Sequence, residues 1–127
     1  MTQTSTIMAY KHDSLVRGDG YVNRTDGYWL RKVERGLTHV DPRHRILWGR
    51  CAYYTPTRKQ VERGLADPDP YVRLAWAERM DWNPTPEQIR NGLLDEHATV
   101  RSAWVARVKY NLDVALESVD VFSAPSL

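Results

Sequence analysis

The sequence predicts an all-α fold: a short right-handed α-solenoid of about three 28-residue helix-hairpin repeats, with an N-terminal capping arm and a C-terminal capping helix. Three observations predict it. Val33-Glu34-Arg35-Gly36-Leu37, Val61-Glu62-Arg63-Gly64-Leu65 and Ile89-Arg90-Asn91-Gly92-Leu93 follow one another at a spacing of 28 positions. Later in the same unit Arg45, Arg73 and Arg101 fall in register, and so do Trp48, Trp76 and Trp104. A fixed period of this size marks an array in which each unit is one supersecondary element. Finally, Val72, Trp76 and Met80, and again Val100, Trp104 and Val108, recur at the spacing of one helical face.

Residues 1–25 lie outside the period and form the expected capping arm. The arm mixes rings and cations (Tyr10, Lys11, His12, Arg17, Tyr21, Arg24), and an end repeat needs its open apolar face covered. The repeats are expected over 26–112. Asp26 is a good N-cap for a first helix carrying Trp29, Leu30, Val33 and Leu37, and Asp41-Pro42 breaks that helix. A second helix is expected from about Arg43 to Ala52. Thr57 with Gln60, and Thr85 with Gln88, are capping boxes one period apart, in which each side chain satisfies the other's orphan backbone donor. Pro86 stands at the first helical position, where no donor is lost. Asp67-Pro68-Asp69-Pro70 and Asp95-Glu96-His97 are the next two corners. After Asn111 the pattern fades, and 113–127 reads as a separate capping helix, started by Asp113, with a loose tail.

Gly36, Gly64 and Gly92 stand inside predicted helices, where Gly costs about 1 kcal/mol relative to Ala. Either a neighbour approaches closely there, such as the indole of the paired helix, or each Gly caps a helix that ends at it. The apolar, in-pattern Leu that follows each one favours close approach.

At 127 residues the chain is one domain, and its 42% hydrophobic and 27% charged composition is that of a globular protein. No apolar run is long enough to span a bilayer, and the first residues show no basic region ahead of a long apolar stretch, so no secretory leader is expected. Cys51 is alone, which excludes an internal disulfide framework and fits a reducing compartment; the expected location is cytoplasmic. The net charge of +2 is unevenly placed. Residues 1–63 carry twelve Lys/Arg against six Asp/Glu, and 64–127 carry six against ten. Such asymmetry fits a surface for an acidic partner or self-association of basic and acidic ends.

Asp67-Pro68-Asp69-Pro70-Tyr71-Val72-Arg73-Leu74-Ala75 resembles the inter-helix turn and second helix of HEAT-type repeats, and Asp95 through Ala103 is similar. Asn83-Pro84-Thr85-Pro86-Glu87 resembles the inter-repeat corner of the variant leucine-rich repeat, a related helical solenoid. The resemblance covers about 28–112 and implies architecture; it implies no particular activity. The period is shorter than a usual HEAT unit and longer than the variant leucine-rich one. Trp replaces the usual small residue, and His44 replaces the Val before the Arg in the first copy. In HEAT-type repeats the Arg equivalent to Arg45, Arg73 and Arg101 is mostly structural.

Two readings of that arginine ladder stand beside each other. It can track a phosphate backbone, or each Arg can pair with a preceding corner acid (Asp41, Asp67 or Asp69, Asp95) and tie repeats together. The second explains both residue types at once. Trp48, Trp76 and Trp104 are expected in the core, because burying indoles contributes what short repeats need. Trp29, Trp82, Tyr53, Tyr54 and Tyr110 lie outside that register and are candidates for exposed rings.

No catalytic constellation is visible. His12, His39, His44 and His97 have no metal-ligand spacing with one another or with Cys51, and no serine stands in a nucleophile elbow. The expected function is therefore non-catalytic and cofactor-free: a protein-binding module, an adaptor or inhibitor. Its expected binding residues are Arg31, Lys32, Arg35, Arg43, Arg50, Tyr53, Tyr54, Arg58, Lys59 and Arg63. Nucleic-acid backbone binding by the same basic half is the alternative. A hydrolase or glycosylase on a HEAT-like scaffold is a third, and would need an acid in a concave pocket.

Overall fold

The computed structural model describes residues 26–123, with side chains described over 26–117. The expected capping arm lies outside the described residues. Among them the chain is all-helical, with six helices and no strand. These are α1 (Gly27–Leu37), α2 (Pro42–Arg50), α3 (Arg58–Leu65), α4 (Pro70–Glu78), α5 (Pro86–Leu93) and α6 (Ala98–Ser123). The chain divides into two compact units, Met1–Trp76 and Ala77–Leu127.

The helix starts follow from local chemistry. Asp26 accepts a hydrogen bond from the Trp29 amide at 3.0 Å and opens α1. Both capping boxes form. Thr57 accepts from the Gln60 amide at 3.1 Å while the Gln60 side chain accepts from the Thr57 amide at 2.9 Å. Thr85 and Gln88 repeat this at 3.1 and 2.8 Å. Each box satisfies donors that the first turn would otherwise leave bare. The second helix begins one residue earlier than expected, at Pro42, because Asp41 caps it through the Arg43 amide at 2.9 Å.

The core of the first unit holds Trp29, Val33, Leu37, Trp48, Tyr54, Val61, Val72 and Trp76. That of the second holds Val100 and Trp104, with Arg79 and Arg107 also buried. Each repeated glycine lies within its helix and faces an indole. A Cβ at Gly36 would land inside the ring of Trp48, one at Gly64 inside Trp76, and one at Gly92 inside Trp104. Close approach, the favoured reading of the glycines, is what the structure has. Trp76 is enclosed further, since a Cβ at Gly49 would stand 3.0 Å from its Nε1.

The corners close in one recurring way. The side chains of His39, Asp67 and Asp95 each accept from the amide two residues on, at 3.0, 2.9 and 2.8 Å. Arg45, Arg73 and Arg101 each return a guanidinium to the carbonyl of that same residue, at 2.7, 2.8 and 2.7 Å. An arginine six residues on thus satisfies a carbonyl left bare by the preceding helix end. A histidine imidazole does in the first corner what a carboxylate does in the other two. The rings of His39 and His44 stack across it, with centroids 4.0 Å apart.

The C-terminal expectation is corrected. There is no new helix at Asp113, because α6 runs unbroken from Ala98 to Ser123. Asn111 and Asp113 weaken a helix only slightly, and no Gly or Pro between 98 and 123 stops it.

Candidate functional site

α1 and α3 in the first unit carry most of the expected binding residues, and a set of polar contacts fixes them together. Glu34 on α1 receives both ends of the Arg63 guanidinium from α3, at 3.0 Å each. Gln60, already part of the capping box, adds a donor to Glu34 at 3.2 Å. Burial would raise the Glu34 pKa, but the hydrogen bonds from Arg63 and Gln60 and the Arg63 charge more than offset it, so it lies below its ordinary value. Glu34 therefore stays ionised and acts as a clasp between the two helices.

Around that clasp the expected residues separate into distinct groups. Arg31 and Arg35, one turn apart on α1, are exposed, as are Arg58 and Lys59 in the first turn of α3. None of the four is in an ion pair with a described residue. Arg50 is exposed. Lys32 is half-buried, with Nζ 6.0 Å from the centroid of exposed Tyr28. Arg63 is committed to Glu34.

Arg43 is committed too, in a bidentate pair with Asp41 at 3.2 and 2.9 Å. The hydrogen bonds from Arg43 hold the Asp41 carboxyl at about 2, below its usual 3.8. A depressed carboxylate contributes stability that is fully present above 3.8 and lost as the pH falls through about 2. Asp41→Asn keeps a capping oxygen but has no such titration. Its unfolding free energy is expected to fall less than that of the wild type between pH 4 and pH 2, followed by urea titration at each pH.

The two tyrosines are placed differently from a binding role. Tyr54 is 1% exposed, and its hydroxyl donates to the Trp48 carbonyl at 2.7 Å. It is a core residue. Tyr53 is half-buried, and its carbonyl accepts from Trp29 Nε1 at 3.0 Å. That bond satisfies the indole N–H, so Trp29 is buried at no polar cost and lies tilted against Trp48 at 5.5 Å instead of exposed. Trp82 is half-buried. Of the five expected surface rings, Tyr110 alone is more than half exposed, at 55%.

The arginine ladder is bonded to its own corners. Arg45 holds Asp67 through two bonds of 2.8 and 3.0 Å, in addition to the His39 carbonyl. Its carboxylate partner is in the following corner and not the preceding one, because Asp41 is taken by Arg43. Beside this pair, a cleft lined by Leu37, Gln60, Gly64, Val72 and Trp76 has a volume of 10 Å³, about what one water needs.

Sequence reasoning missed Arg107. It is 5% exposed and donates to the carbonyls of Ala77, Arg79 and Trp82. Its guanidinium lies 4.4 Å from the Trp82 ring centroid, and Nε has no hydrogen-bond partner. Burial pushes its pKa down, opposed by the charge of Asp81. One signal was available: Arg79 and Arg107 are one period apart.

Among the described residues no group of three or more His, Cys, Asp or Glu is placed to hold a metal ion, and no helix is long and apolar enough to cross a membrane. Compared with known protein families, with characterised proteins and with solved structures, the chain shows no match.

Proposed function

We propose that this protein is a non-catalytic binding module, a HEAT-like α-solenoid of three helical repeats that engages a partner protein through the cationic face of α1 and α3. The recurrence of one glycine–indole contact and one arginine–carbonyl corner at the 28-residue spacing supports the repeat reading. The observation that carries the binding reading is the fate of the cations. Arg45, Arg43 and Arg63 are each paired with an acid of this chain, whereas exposed Arg31, Arg35, Arg58 and Lys59, on two helices that Glu34 ties together, are in no ion pair with a described residue.

Glu34 and exposed Glu62 interrupt that face. A phosphate backbone repels such interruptions, while a protein surface can match them with its own cations. Burial of Trp29 and Tyr54 also removes two rings on which bases would stack. Nucleic-acid binding is the second reading, favoured by the same four cations.

The test is capture from a lysate by the full chain and by Arg31→Glu/Arg35→Glu, with and without nuclease. The expected result is a bound protein that survives nuclease and is reduced at least tenfold by the double variant. Loss on nuclease treatment, with affinity falling linearly in log–log form with salt, would establish the second reading. Capture that ignores the charge reversal would remove both.

A further inference from the structure

The second half of α6 is an exposed helix with an apolar stripe. Every side chain from Lys109 to Glu117 is exposed, although Trp104 and Arg107 just before them are buried. On the outer face of α6, Val105, Leu112 and Leu116 are 56%, 56% and 55% exposed. Steps of seven and four residues put them on one face, in a line about 16 Å long at 1.5 Å per residue. A helical segment this short has marginal stability without packing against something. No described residue covers the stripe.

We propose that the occupant is the same stripe of a second copy, so that the protein is a two-fold dimer through antiparallel α6 helices. This goes beyond the binding reading and does not depend on it. The argument is self-complementarity. Lys109 and Asp113 flank the stripe and form an ion pair at 3.1 Å along the helix. With a two-fold axis near residues 111–112, Leu112 of one copy lies beside Leu112 of the other. Leu116 then lies over Val105 and Val108 of the opposite helix. In that register Lys109 comes opposite Asp113 of the other copy, and the reverse, so two ion pairs join into one four-membered cluster. An isologous contact requires this: residue i meets j, and j meets i. The charge imbalance along the chain suggests a different mode, basic end to acidic end, which salt would dissolve.

Sedimentation of the full chain at increasing concentration tests the proposal. A monomer–dimer equilibrium is expected, with a dissociation constant on the order of 10 μM for so small an interface. Raising NaCl from about 0.05 to 0.5 M should change it less than threefold, since the stripe is apolar. Leu112→Glu/Leu116→Glu should weaken it at least tenfold with unchanged circular dichroism, because both side chains are exposed in the single chain. Lys109→Asp and Asp113→Lys should each weaken it, and the double variant should restore it. Leu112→Cys should form a covalent dimer on oxidation, since Cys51 is buried and the introduced thiols meet at the axis. A monomer at all concentrations would overturn the proposal. So would a dimer indifferent to the two glutamates, a dimer lost in salt, or failure of the double variant to restore association.

Discussion

Gly64→Ala is expected to destabilise the protein by about 2 kcal/mol or more, although alanine is the better helix former. On an open helix surface the substitution would gain up to about 1 kcal/mol. Here the new methyl would fall inside the indole of Trp76, at Cδ1, Nε1 and Cγ. Those atoms are near the root of the side chain, so the ring cannot swing aside as a flexible tip would. Trp76 is also 1% exposed and bounded by Gly49 on α2, which leaves it nowhere to go. The cost of overpacking therefore exceeds the gain in propensity. At roughly 4–8 °C per kcal/mol for a domain near this size, a drop in Tm on the order of 10 °C is expected. Gly27→Ala is the control. Its methyl would meet Arg31 Nη1 at 3.2 Å, a group that moves freely, so its Tm should hold or rise slightly. A Gly64→Ala protein as stable as the wild type would show that the indole is not held where the packing argument puts it.

Arg107→Met should cost about 2–3 kcal/mol, the range for losing buried hydrogen bonds made by a charged donor. Methionine fills much of the same volume, so the loss comes from the guanidinium hydrogen bonds to the carbonyls of Ala77, Arg79 and Trp82. Arg107→Lys should rescue little of it, because one ammonium cannot reproduce a planar fork directed at carbonyls on one segment and stacked on Trp82. Urea unfolding gives the free energy, and near-ultraviolet circular dichroism should report loosening of Trp82 against Trp104, now edge to face at 6.1 Å. A loss under about 1 kcal/mol in Arg107→Met would mean that water replaces the guanidinium at those carbonyls.

The features legible in the sequence are those that depend on a few neighbouring residues or on the period. Capping boxes are local chemistry, so Thr57, Gln60, Thr85 and Gln88 are readable from the residue order alone. The glycine–indole contact is readable because three unlikely glycines share a register with three tryptophans. What escapes depends on contacts that no pattern announces. Trp29 and Tyr54 can be buried because the Tyr53 carbonyl satisfies an indole N–H and the Trp48 carbonyl a phenol, one long-range and one around a turn. Arginine is ordinarily a surface residue, and that prior hides Arg107 despite its match with Arg79. The break expected at Asp113 fails because a polar residue in a cap-like context does not end a helix that is already propagating. Among the proposed contact residues, exposure of Arg31, Arg35, Arg58 and Lys59 is legible. The commitment of Arg43 and Arg63 to acids is not, because it depends on which carboxylate the fold brings within reach of each.

The paired arginines change how the molecule looks from far away. Of the twelve cations in residues 1–63, Arg45, Arg43 and Arg63 are locally cancelled by Asp67, Asp41 and Glu34. In the proposed binding mode, the four cations of α1 and α3 that have no ion pair with a described residue give a lopsided local field, which would turn an acidic partner before it touches. Such steering reaches about 8 Å at physiological ionic strength. It governs how often and from which side encounters succeed, and leaves the lifetime of the complex to the contacts made afterwards.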